Sequence, residues 1–137
     1  MIRDFKPEDY FAIKDPIDRF PEEVTRENIE SAMKSGVCVT AVDNDEVIGC
    51  GGAIVTGENE AELWVRLSQK VQAIKFKAVE VICSGMRVIT ESLEGFSFKC
   101  KVAENFEVGE RLVSWLGFKK TSNVEMINNT KYFIYRL

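Results

Sequence analysis

The chain of 137 residues contains no histidine. Every mechanism that depends on an imidazole is excluded at once: Ser-His-Asp hydrolysis, Cys-His proteolysis and His-ligated zinc. An acid or base in this protein is therefore a carboxylate, a tyrosine, a thiol, a lysine or water. The cysteines Cys38, Cys50, Cys83 and Cys100 include no CxxC pair, so a two-knuckle zinc site is excluded and no metal is indicated. Each lies in an apolar segment, which predicts buried core thiols rather than a disulfide framework. Long hydrophobic runs are missing too. No stretch is long enough to cross a bilayer, and Met1–Phe5 lacks the apolar core of a signal peptide. A cytoplasmic protein with no membrane partner is expected. An excess of positive charge is also absent. Eighteen Lys and Arg stand against 22 Asp and Glu, giving a net charge of −4 and a pI near 5.0. No nucleic-acid partner is expected from that balance.

What remains is ordinary globular material, 45% hydrophobic and 29% charged, which excludes disorder and collagen-like repeats. The length fits a single domain over residues 1–137. All three prolines fall before residue 22, and no linker or repeat divides the rest.

The pattern along the chain alternates between the two periods of secondary structure. Ile2–Phe5 reads as a short strand. Lys6-Pro7-Glu8-Asp9 reads as a turn opening a helix, with proline near N1 and acids in the first turn. Residues 22–34 read as a helix with Val24, Ile29, Ala32 and Met33 inward and Gly36 as a stop. Val37–Val42 and Val47–Val55 read as a hairpin around Asp43–Glu46. Gly49, Gly51 and Gly52 in its second strand mark either a bulge or tight packing under a helix. Ala61, Leu63, Val65 and Leu67 alternate with Glu60, Glu62, Trp64 and Arg66, which is a period-2 strand. Ser68 is a good N-cap. Val71, Ile74, Ala78, Ile82, Met86, Ile89 and Leu93 then form a 3.6-period stripe, the longest helix. Phe96, Phe98, Cys100 and Val102 alternate as a strand. Asn105 reads as the cap of a short helix carrying Val108, Leu112, Trp115 and Leu116, with Gly117 at C′. Phe118–Ile127 and Thr130–Leu137 close the chain as a hairpin around Asn128-Asn129. The order is β-α-α-β-β-β-α-β-α-β-β. That order predicts a mixed α/β architecture, a central β-sheet flanked by helices, in which the long crossover helix joins a parallel pair.

Four stretches carry a family resemblance: Ile2–Asp9, Val47-Ile48-Gly49-Cys50-Gly51-Gly52, Glu62–Leu67 and Leu112–Lys120. They are spread from one end of the chain to the other, and in order and spacing the chain resembles, over nearly its whole length, the GNAT superfamily of N-acetyltransferases. Trp64-Val65-Arg66-Leu67-Ser68 is similar to the central strand of GNAT-like proteins of tailed bacteriophages. The resemblance implies acetyl-CoA as co-substrate and an amine as acceptor. It implies a pyrophosphate held by backbone N–H groups at the start of the long helix. Here that places the cofactor-binding positions at Ser68, Gln69, Lys70, Val71, Gln72, Ala73 and Ile74. Val65 and Leu67 would serve the thioester, and Asn105 the pantetheine arm. The chain departs from the family loop Arg/Gln-x-x-Gly-x-Gly/Ala, because Ser68–Lys77 holds no glycine; Lys70, Lys75 and Lys77 would supply charge instead. A second departure puts Val113 where active members often carry an acid tyrosine. Ser114 is then the nearest hydroxyl, with water as the other acid. Glu62 or Glu60 on the central strand would be the base. The alternative is a GNAT-like scaffold without catalysis that binds a protein partner. In that reading Tyr132, Phe133 and Tyr135 on the last strand form an interface, including pairing between two subunits as a homodimer.

Overall fold

The computed structural model describes residues 1–17 and 24–137. Seven strands form one sheet in the order β1-β2-β3-β4-β5-β7-β6. They are β1 Ile2–Asp4, β2 Gly36–Asp43, β3 Glu46–Gly57, β4 Glu60–Leu67, β5 Ser97–Ala103, β6 Lys119–Ile127 and β7 Thr130–Arg136. Helices α1 Pro7–Ala12 and α2 Arg26–Lys34 cover one face. Helices α3 Lys75–Ser92 and α4 Glu107–Trp115 cover the other.

All neighbours are antiparallel except β4 and β5. The turns explain the hairpins. Asn44 and Asp45 sit at φ 50° and 63°, and Asn128 and Asn129 at 48° and 65°. Such paired left-handed residues match the right-handed twist of adjoining strands. The parallel pair follows from the α3 crossover and is short: Glu60↔Ser97, Ala61↔Phe98 and Glu62↔Lys99. Past those pairs, Leu63–Leu67 and Cys100–Ala103 diverge, and the sheet splays open at its middle.

Three details differ from the sequence pattern. The helix expected over 22–34 begins at Arg26. Thr25 caps it, its Oγ1 accepting from the Asn28 N–H at 3.2 Å while Asn28 Oδ1 accepts from the Thr25 N–H at 2.9 Å. Val24 therefore precedes the helix, and residues 22 and 23 lie outside the described residues. Asn105 is not the cap of α4; Phe106 is, and Asn105 turns the chain at φ 65°. Asparagine tolerates that conformation better than other side chains of its size. Cys83 is exposed on α3, whereas Cys50 and Cys100 are buried and Cys38 is half-buried.

The β3 glycines divide between the two expected roles: the β2–β3 register shifts between Ala41 and Val42, beside Gly49, while Gly52 packs against strand β2 rather than a helix. On the β4 side the Gly49↔Leu67, Gly51↔Val65 and Gly52↔Trp64 pairs run without a shift. Gly52 is a packing residue: a Cβ there would lie 2.3 Å from the Val37 carbonyl oxygen and 2.9 Å from Cys38 Sγ.

Candidate active site

The splay between β4 and β5 opens a cleft of about 420 Å³. Its walls are Leu63–Val65 and Leu67 on one side and Cys100–Ala103 on the other, with Leu112 of α4 and Leu116 just after it behind. Tyr10, Asn28 and Ile29 line the α1/α2 side. Beyond Glu62, β4 has no ladder partner on its β5 side. Backbone groups of Leu63–Val65 on that edge therefore face the opening rather than another strand. Gln72, Ile74 and Phe76 do not line the cleft; Phe76 is 94% exposed.

Glu62 points into this opening. Lys101 Nζ lies 3.3 Å from Glu62 Oε1 and 3.0 Å from Glu125 Oε2. The first contact is close enough for an ion pair, yet Glu62 Oε1 is buried and accepts no hydrogen bond among the described residues. Burial works against the Lys101 charge, but the Glu125 and Glu62 carboxylates outweigh it and hold the ammonium above the usual lysine range. The indole Nε1 of Trp64, two residues along the same face, is likewise buried without an acceptor among the described residues. Glu62 Oε1 is matched electrostatically by Lys101, whereas a buried donor such as Trp64 Nε1 is costly to leave without an acceptor and is suited to one supplied from the cleft.

Glu60 is placed differently. It sits where the strands are still paired, bound to Lys99 at 3.1 Å and Arg136 at 3.5 Å. The Lys99 hydrogen bond and charge keep its carboxyl below the usual range, which makes it a weak base at neutral pH. Ser114 is not brought to the site. Helix α4 turns its exposed side chain outward and buries Val113 instead. Asn105 is exposed in its turn and does not line the cleft; its neighbour Phe106 does.

The expected anion cradle is also altered. Ser68–Ile74 is a tight 3₁₀ turn over Gln69–Ile74, capped by Ser68, and α3 proper starts at Lys75. The backbone N–H groups that would meet a pyrophosphate are already engaged. Ser68 donates to the Ile48 carbonyl at 2.9 Å, Gln69 to the Asp15 carbonyl at 3.0 Å, Lys70 to Ser68 Oγ at 3.2 Å and Val71 to the Ser68 carbonyl at 3.2 Å. The 3₁₀ pattern uses those of Gln72, Ala73 and Ile74. The physical reason lies in the sequence: with no glycine, the segment cannot hold the open backbone of a phosphate loop. Ser68 Oγ donates to Asp15 Oδ1 at 2.8 Å, and the Ile17 N–H donates to the Leu67 carbonyl at 2.8 Å. Residues 15–17 thus lie against the far end of β4. Lys70 pairs with Glu46 and Lys77 with Asp43 at 3.6 Å.

No family model matches the chain, and no curated protein matches it in sequence. Solved structures do match. The ribosomal-protein-S18-alanine N-acetyltransferase of Escherichia coli superposes with a TM-score of 0.76 at 12% identity, covering 100% of this chain and 92% of that one. The chain has the GNAT fold. The spermidine/spermine N-acetyltransferase SpeG of Vibrio cholerae gives a TM-score of 0.71 at 14% identity over 100% of this chain and 93% of that one. A GNAT family acetyltransferase from Elizabethkingia anophelis, solved with acetyl-CoA bound, gives 0.63 at 15% identity over 82% of each chain. Of the residues that the sequence pattern singles out, Glu62, Val65 and Leu67 line the cleft; Lys101, Trp64, Tyr10 and Asn28, which it does not single out, line it as well. Trp64 shares the period-2 face of Glu62, which is a usable signal. Lys101 required the β4–β5 register, which no local pattern encodes.

Strand β7, which carries Tyr132, Phe133 and Tyr135, offers no free edge for pairing with another strand. It is interior, paired with β5 and β6 on its two edges. Tyr132 and Tyr135 are buried, and Phe133 lies under Lys120 Nζ at 3.7 Å from the ring centroid.

Proposed function

We propose that this protein transfers an acetyl group from acetyl-CoA to a primary amine. The observation that carries the reading is the open cleft between β4 and β5, with the Glu62 carboxylate in its wall and held there by Lys101 at 3.3 Å. The amine nitrogen attacks the thioester carbonyl: the N–C bond forms and the C–S bond breaks. Glu62 takes the proton from the amine, directly or through a water. Lys101 holds the Glu62 carboxylate in place and is itself anchored by Glu125. Edge N–H groups of β4 near Val65 polarise the carbonyl. The departing thiolate takes its proton from water, since α4 presents Val113 rather than a hydroxyl. Thiolate is a good leaving group, so a strong acid is not required. With the Ser68–Val71 N–H groups engaged, the pyrophosphate meets the first turn of α3, whose Ile74 cap supplies no side-chain hydrogen bond. Lys75 and Lys77 flank that turn.

Glu62→Gln tests the assignment. It keeps the shape of the side chain and removes the base. Turnover against an amine panel is expected to fall by about 10²–10⁴ with acetyl-CoA binding retained. Unchanged turnover would remove Glu62 from the chemistry.

A second reading has its own observation. Asp15–Ile17 and the 3₁₀ turn occupy the end of β4 where the family holds the pyrophosphate. Under that reading the chain is a non-catalytic GNAT-fold binding protein, and no amine is acetylated at all.

A further inference from the structure

A second space lies behind the cleft. Between β3–β4 and α3 is a cavity of about 60 Å³ whose lining residues carry no side-chain nitrogen or oxygen. Gly49, Gly51 and Gly85 form part of its wall. Leu63, Val65, Leu67 and Leu116 line both this space and the cleft. Those are the residues beside which the thioester carbonyl is placed under the acetyltransferase reading. The space is partly open, but its wall offers water no side-chain hydrogen-bond partner, so apolar atoms suit it better than water does. By the same measure a water-sized group needs about 10–15 Å³, so the space accepts about four to six such groups.

We propose that this cavity receives the aliphatic tail of the acyl donor, and that the preferred donor is a short-chain acyl-CoA of butyryl to hexanoyl size rather than acetyl-CoA. The inference rests on the transfer reading given above. The chemistry is unchanged in kind: the amine N–C(O) bond forms, the thioester C–S bond breaks, the amine proton passes to Glu62 and the thiolate is protonated by water. What changes is that the methylenes beyond the carbonyl leave water for the aliphatic wall, which favours the longer donor.

The test is calorimetric titration of the full chain with CoA, acetyl-CoA, butyryl-CoA and hexanoyl-CoA. Butyryl-CoA is expected to bind on the order of tenfold tighter than acetyl-CoA. Gly85→Leu supplies the second arm. A Cβ at Gly85 meets only Val39 Cγ2 at 3.5 Å and Ile2 Cδ1 at 3.6 Å, ordinary contacts, and the longer side chain then fills the cavity. That variant is expected to erase the difference between butyryl- and acetyl-CoA. Gly85→Ala, which leaves most of the space open, is expected to keep it, and its melting curve reports whether the site tolerates substitution. Equal binding of acetyl- and butyryl-CoA by the unaltered chain would overturn the acyl-chain proposal and leave acetyl transfer standing. No binding of any thioester would overturn both.

Discussion

Asp9 is buried on α1, and four hydrogen bonds meet it: Arg3 Nη1 at 2.8 Å, Arg3 Nη2 at 2.7 Å, the Lys6 N–H at 2.9 Å and Thr40 Oγ1 at 2.7 Å. Burial alone would raise its carboxyl, but these bonds and the Arg3 charge outweigh it and hold the group below its usual range. A depressed folded-state value gives stability that is present above the unfolded value of about 3.9 and lost as pH falls through the folded one. Thermal stability is therefore expected to drop below about pH 4. Asp9→Asn is expected to cost about 1–3 kcal/mol at neutral pH and to flatten that acid limb. An unchanged limb in urea titrations at pH 3 to 6 would show that Asp9 does not carry it. The thiols make a second prediction at this scale. Burial pushes Cys38 up to about 11, and burial with the Glu62 charge pushes Cys100 up to about 12. Cys83 alone is exposed. Iodoacetamide at pH 8 is expected to label Cys83 first, read by peptide mass. Early loss of Cys100 would mean the cleft breathes more than its packing implies. Apolar context in the sequence predicted all four cysteines buried. It failed at Cys83 because that residue lies off the side of α3 that buries Ala78, Gly85 and Ile89.

Among the elements, the strands and hairpins were readable wherever turn chemistry was explicit. Asn128-Asn129 and Asn44-Asp45 sit in left-handed geometry as their residue types suggest. The α3 stripe was also readable, since Ala78 and Ile89 are buried where the period places them. What the periodicity could not show was the change from a 3₁₀ turn to an α-helix at Lys75, because Val71 and Ile74 fit both spacings well enough to face inward. Nor could it show that Asp15 would cap Ser68, a contact between distant residues. Glycines in the same apparent role separate clearly by environment. Gly52→Ala drives a Cβ into the Val37 carbonyl and is expected to cost about 1–3 kcal/mol. Gly85→Ala meets open contacts inside a helix and is expected to gain about 0.5–1 kcal/mol. Chemical denaturation of the two variants checks both; equal effects would contradict the packing assigned to β3.

For the whole molecule, the element order and the parallel β4–β5 crossover followed from the sequence, because a long helix between two strands constrains the topology strongly. The splay did not. It depends on the β4–β5 ladder stopping at Glu62↔Lys99, and nothing in either strand's own pattern marks that point. The same divergence makes the cleft, exposes the β4 edge and brings Glu62 to Lys101. Function therefore rests on whether this cleft accepts a CoA thioester despite its glycine-free entrance. The measurement that decides it is calorimetric titration of the intact protein with acetyl-CoA, with CoA alone beside it. The account predicts saturable binding with a dissociation constant in the micromolar range, on the order of −8 kcal/mol. No heat and no thermal shift at millimolar ligand would contradict it, and would leave the GNAT fold here as a binding scaffold.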